Sequence, residues 1–123
     1  MQDFHQLDVW KKAHRLVLHI YAVSKDLPAS ENFGLTPHIR RAALTIPRTI
    51  AEGAGRSTDF EFTADLNKSR AAGYELEYLI LLCRDLGFLA EDVYIEPTAE
   101  NAEVRKMISG LVKRLAKPVQ TPR

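Results

Sequence analysis

Arginine and lysine are the residues of this 123-residue chain whose type and spacing point most clearly to chemistry. Residues 35–56 hold four arginines and a single acid, namely Arg40, Arg41, Arg48, Arg56 and Glu52. The guanidinium fork binds carboxylates and phosphates equally well, so the sequence leaves two roles open for these side chains. One role is ion pairing inside the fold, and the other is contact with a nucleic-acid backbone.

Each role is predicted for its own set of residues. Structural ion pairs that hold the second helix against the third are predicted for Arg41, Glu52 and Glu75. A nucleic-acid contact is predicted for six cations: Arg40, Arg48, Arg56, Lys11, Lys12 and Arg15. Seventeen basic and 16 acidic residues leave a net charge of +1, so polyanion binding would have to come from such a local patch. Aromatic residues are not interleaved with these cations, which weakens the argument for base stacking.

The sequence lacks the residue patterns of common catalytic and metal sites. No acid stands three positions before a histidine, so the Glu-x-x-His pairs of metal-binding bundles are absent. His14 and His19 are five apart, on different faces of a helix, which argues against a shared metal. Gly53-Ala54-Gly55 lacks the remainder of a phosphate-loop motif and indicates a helix end. We therefore expect no enzyme activity, no metal and no cofactor.

Composition favours a soluble cytoplasmic protein of one domain, spanning residues 1–123. The single cysteine, Cys83, excludes an internal disulfide and a cysteine-based zinc cluster. The first residues do not form a secretory leader, and no segment approaches the ~20 apolar residues that a membrane span needs.

Apolar residues recur at intervals of three and four in four segments, and this spacing predicts helices at 7–25, 36–55, 59–86 and 98–116. Thr36, Thr58 and Thr98 are the predicted N-caps of the last three helices. Pro47 is predicted to kink the second helix, because proline removes a backbone donor and clashes with the preceding turn. Short connections between four helices predict an all-α fold, an antiparallel up-and-down four-helix bundle.

The C-terminal half of the third helix suggests self-association. Residues 76–82 are apolar almost all round the helix, apart from Glu77. A helix wetted on one side does not need this pattern, so either the bundle or a second subunit covers it. The predicted oligomer interface consists of Tyr78, Leu79, Leu81 and Leu82.

The central stretch also resembles a known family. Ile39-Arg40-Arg41-Ala42-Ala43, Ile46-Pro47 and Ile50-Ala51-Glu52-Gly53 are similar to the signature of the 23S rRNA intervening-sequence proteins. That family includes the accessory variability proteins of diversity-generating retroelements. The chain departs from the pattern at His38, where the family usually has Gln, at Arg48-Thr49, where it has Ser-Asn, and at Ala71-Ala72, where it has Gly-Ser.

The resemblance implies a four-helix bundle that assembles as a ring-shaped homopentamer and has no established enzymatic activity. For the retroelement members it also implies binding of nucleic acid and of a reverse transcriptase. The resulting hypothesis is a non-enzymatic oligomeric scaffold that binds structured RNA or another nucleic acid within a ribonucleoprotein. The alternative is a protein-only scaffold whose arginines are purely structural.

Overall fold

The computed structural model describes residues 1–116 of the chain. Four helices account for most of them: α1 (Asp8–Ser24), α2 (Leu35–Ala54), α3 (Asp59–Asp85) and α4 (Glu91–Ala116). Short 3-10 turns at Phe4–Gln6 and Ala29–Glu31 precede α1 and α2, and this described part contains no β-strand. The sequence predicts that Pro118 ends the last helix. This prediction falls in residues 117–123, which lie outside the described part. Within residues 1–116, no helix combines the length and the apolar character that a membrane crossing requires.

Contacts between the helices define an antiparallel bundle. Between α2 and α3, Gly53 lies against Phe62, the carbonyl of Ile46 accepts from Ser69, and His38 bonds to Glu75. Residue numbers rise on one helix as they fall on the other, so the two helices run in opposite directions. α1 and α4 also run in opposite directions, because Lys12 pairs with Glu103 and His19 with Glu100. The predicted all-α four-helix bundle is confirmed.

Two helix ends, at Thr58 and Gly87, follow the chemistry of the local sequence, and the predicted cap at Thr36 does not. The Oγ1 of Thr58 accepts from the Glu61 amide at 3.2 Å, which confirms the predicted cap of α3. Gly87 follows α3 with φ of 79°, the left-handed conformation that commonly ends a helix. Thr36 is not a cap, because α2 already begins at Leu35, whose amide donates to the Oε1 of Glu31.

Prolines lie within two of the helices. α4 begins at Glu91 rather than at residue 98, so the predicted cap at Thr98 was wrong. α4 continues through Pro97, whose ring is buried in the bundle. We attribute this to packing of the ring, which outweighs the loss of one backbone N–H donor. α2 likewise continues through the buried Pro47, and the kink predicted there stays a prediction.

The core lies along the axis of the bundle and draws on all four helices. Its largest fully buried aliphatic side chains are Leu16, Ile20, Ile39, Ile46, Ile50, Leu66, Leu76, Ile80, Val104 and Ile108. Each contributes about 1.5–3 kcal/mol through removal from water. Small residues let the helices approach closely where Ser69 bonds to α2 and where Asn101 donates to the carbonyl of Gly73 at 2.8 Å.

Candidate interaction surface

α1 presents cations to solvent with few acids of its own. Residues 9–25 contain three lysines and one arginine but no Asp or Glu. Arg15 is exposed and makes no salt bridge within residues 1–116. The Nζ of Lys11 is 4.0 Å from the Oδ1 of Asp8, a pair that is 46% and 85% exposed and therefore weak. Lys12 differs, because it pairs with Glu103 on α4.

Aromatic rings lie beside these cations in space. Trp10 stacks on the exposed His14, with ring centroids 5.2 Å apart and planes 4° from parallel. Phe4 meets Trp10 edge-on at 4.8 Å and stacks on His5 at 4.0 Å. Flat rings beside positive charge are the groups on which unpaired nucleobases stack. Sequence reasoning undervalued this feature, because the helix and the preceding turn bring the rings together.

Arg40 is occupied within the fold. Its Nε donates to the Oγ of Ser24 at 2.7 Å, and its guanidinium lies 4.8 Å from the ring centroid of Tyr21. These contacts join α2 to α1 and use the polar and the flat faces of the guanidinium together. The contact between Arg40 and nucleic acid stays a prediction, and these contacts inside the chain argue against it.

Arg56 is also held by the fold. Its Nε donates to the Oδ2 of Asp65 at 2.9 Å, and the Asp65 side chain is only 4% exposed. The hydrogen bond to Asp65 raises the pKa of Arg56 above its ordinary value. Lys68 lies 3.7 Å from the second oxygen of the same carboxylate. The contact between Arg56 and nucleic acid stays a prediction, and the structure adds a pair with a buried acid that the sequence did not reveal.

On α2, the arginine that pairs with Glu52 is Arg48 and not Arg41. Arg48 pairs with Glu52 at 2.9 Å on the exposed face of α2, so Glu52 does not bond to Arg41. Glu75 bonds instead to His38, at 3.1 Å. Arg41 is exposed and has no salt bridge among the described residues, which corrects its assignment as a structural ion pair. Arg41 and Arg48 are seven residues apart, so they share one face of the helix.

The predicted oligomer interface divides between surface and core. Tyr78 is 60% exposed, and Leu81 and Leu82 are half-buried. Leu79 is 4% exposed and belongs to the core of its own chain, so its placement at an interface was wrong. Phe60 at 85% and Tyr74 at 59% exposure extend the surface along the same face of α3. We call Phe60, Tyr74 and Tyr78 the α3 aromatic stripe.

Three of the histidines contact carboxylates, and the single cysteine is buried. His5, His19 and His38 each bond to a carboxylate, from Asp3, Glu100 and Glu75 respectively. The bond from His5 lowers the pKa of Asp3. Burial raises the pKa of the Cys83 thiol, which keeps it protonated and unreactive.

Comparison with known families matches residues 5–110 to the model of the 23S rRNA-intervening sequence protein family. The chain belongs to this family. The resemblance predicted from the α2 signature is therefore confirmed. No curated protein matches the chain.

The part matched to the 23S rRNA-intervening sequence family contains most of the surface residues described above, and Phe4 lies just before it. It begins at His5, spans α1, α2 and α3 in full, and ends at Gly110 within α4. The cationic side of α1, the exposed arginines of α2 and the α3 aromatic stripe thus lie on one family domain.

Proposed function

We propose that the protein is a non-enzymatic interaction module that binds a structured polyanion, RNA in the first place, through α1. The proposed contact consists of Lys11, His14, Arg15 and Lys25, here called the α1 basic face. The carrying observation is that residues 9–25, which comprise α1 after Asp8 together with its C-cap Lys25, hold four cations and no acid. Of these cations, Lys12 pairs with an acid of α4. Phosphates neutralised by such side chains release counterions, which supplies most of the affinity for a nucleic-acid backbone.

Two exposed arginines of α2 form a secondary contact in this proposal. Arg41 lacks a salt bridge among the described residues, and Arg48 holds only the exposed Glu52. An exposed pair four residues apart on a helix stabilises by about 0.3–0.5 kcal/mol, so a phosphate can displace Glu52 at little cost. Arg40 and Arg56 are left out of the contact because they bond to the buried Ser24 and Asp65, and Lys12 because its pair with Glu103 joins α1 to α4.

We also propose that the protein self-associates through the α3 aromatic stripe, as a homopentamer in line with the family resemblance. The supporting observation is the exposure of Phe60, Tyr74 and Tyr78 on one face of a helix. Aromatic residues are enriched in protein interfaces, where they supply large contact areas. A ring would repeat the α1 basic face on every subunit and raise a weak affinity through multivalency.

A protein-only scaffold is the second candidate. It is favoured by the engagement of Lys12, Arg40 and Arg56 in contacts inside the chain, which leaves fewer cations for a polyanion. Both proposals place the protein in the cytoplasm. For the RNA-binding function, we propose a ribonucleoprotein or a reverse transcriptase as the protein partner.

Fluorescence anisotropy with a labelled RNA hairpin and a labelled DNA duplex, repeated over a series of salt concentrations, tests the proposed function. We expect the RNA to bind at low salt and log affinity to fall linearly with log salt, by about 0.9 for each phosphate contact on a duplex. Absence of binding at low salt, where electrostatic attraction is strongest, would refute the RNA proposal and support the protein-only scaffold.

A further inference from the structure

Three side chains that metals commonly use converge between α1 and α4. One donor atom from each of His19, Glu96 and Glu100 lies within 4.8 Å of the other two. None of these three residues belongs to the α1 basic face or to the α3 aromatic stripe, and the nearest member of the basic face is Arg15, in the cleft beside Glu100.

Helix geometry explains the convergence. Glu96 and Glu100 are four residues apart, so their side chains share one face of α4. His19 extends from α1 and its Nδ1 bonds to the Oε1 of Glu100. The side chains of His19 and Glu100 are 25% and 32% exposed, and Glu96 is open to solvent. The group is therefore partly desolvated on the protein side and accessible from outside.

Electrostatics favour a cation at this position. Two carboxylates four apart on a helix repel each other. Among the neighbouring cations, Lys12 is engaged by Glu103, and Arg15 lines the cleft beside Glu100. A dication bound by both carboxylates would neutralise their charge at the centre of the group.

We propose that His19, Glu96 and Glu100 bind one divalent transition metal, with Zn²⁺ as the closest chemical match. Zn²⁺ accepts imidazole nitrogen and carboxylate oxygen at about 2.0–2.2 Å, which places its ligands about 3–3.5 Å apart. Binding requires bonds to the ion to replace the hydrogen bond between His19 and Glu100, with the two glutamate side chains adjusting to that distance. Three protein ligands leave a coordination position for water, and the bound ion joins the first helix of the bundle to the last.

Metal binding is expected to depend on pH in a defined direction. Zn²⁺ needs the neutral imidazole and both ionised carboxylates, so protons compete with it. The charged groups that face the site are Glu103 and Lys12, which pair with each other, and Arg15.

Calorimetric titration of the tag-free protein with ZnCl₂ at pH 7.5 tests the proposal, together with thermal unfolding in the presence and absence of Zn²⁺. We expect one Zn²⁺ per chain and a higher Tm with the metal, because an ion that binds only the folded state stabilises it. His19→Gln and Glu96→Gln should each lower the affinity by about tenfold or more and abolish the rise in Tm.

His14→Gln is the matched control, since His14 is an exposed histidine on the same helix and should leave Zn²⁺ binding unchanged. Failure of the wild type to bind would overturn the proposal. So would equal binding by wild type, His19→Gln and Glu96→Gln, which would assign the ion to scattered surface groups. A spectrum of the Co²⁺-loaded protein that stays the same in Glu96→Gln would contradict the assignment of that ligand.

Discussion

At the scale of single residues, burial decides what an arginine–carboxylate pair contributes. Asp65 and Glu52 both accept from an arginine at 2.9 Å, but their side chains are 4% and 46% exposed. The two positions therefore differ in burial and allow a comparison through the same chemical change, carboxylate to amide.

Asp65→Asn should lower the free energy of unfolding by about 1.5–3 kcal/mol, because it weakens a hydrogen bond between charged groups in a buried place. Glu52→Gln should lower it by no more than about 0.5 kcal/mol, as expected for an exposed pair. Urea unfolding of both variants measures the difference. Equal losses would show that the Asp65 pair is no more important than a surface pair.

Residue roles were the least predictable feature of the sequence. The two roles open to an arginine could not be separated without its neighbours, and the partners of Arg40 and Arg56 are Ser24 on α1 and Asp65 on α3. Asp65 carried one weak signal, since it falls three residues after Phe62 on the buried side of α3. An acid at such a position requires a partner, and only the fold identifies that partner as Arg56.

At the scale of the helices, apolar spacing predicted most of the architecture. The predicted bounds of the first three helices agree with the structure to within one residue. The predicted start of α4 is seven residues too late, because a proline such as Pro97 indicates the boundary of a helix when only the sequence is considered. Its burial in the bundle is a tertiary effect that no local pattern contains.

Glycines provide a test of helix packing. A Cβ added at Gly53 would lie 2.8 Å from the Cδ1 of Phe62 and 2.9 Å from the Cβ of Asp65, whereas one added at Gly110 would meet nothing within 4 Å. Gly110→Ala should stabilise the protein by about 0.5–1 kcal/mol through helix propensity alone. Gly53→Ala should destabilise it by about 1–3 kcal/mol, because overpacking forces α3 away from α2.

Thermal or urea unfolding of the two alanine variants decides between these outcomes. Stabilisation by Gly53→Ala similar to that by Gly110→Ala would mean that α2 and α3 are not in close contact at this point.

At the scale of the whole molecule, the α3 aromatic stripe predicts assembly. Light scattering at micromolar concentration should give about five times the 13.9 kDa mass of one chain. Phe60→Lys combined with Tyr78→Lys should lower that mass, because charges buried without partners oppose association. Leu44→Lys, on α2, is the control, since Leu44 is 44% exposed and lies outside the stripe. A wild-type protein that scatters as a monomer would contradict the assembly.

The proposed contact between α1 and the polyanion is tested by comparing two variants, each with two charge reversals. Lys11→Glu/Arg15→Glu changes the α1 basic face, and Lys106→Glu/Lys113→Glu makes the same change in charge on the exposed side of α4. RNA affinity is measured for both over a series of salt concentrations. We predict that the α1 variant loses affinity and that its salt slope falls by about 1 for each phosphate contact removed, while the α4 variant keeps the slope of the wild type. Equal slopes for the two variants would contradict a specific role for α1.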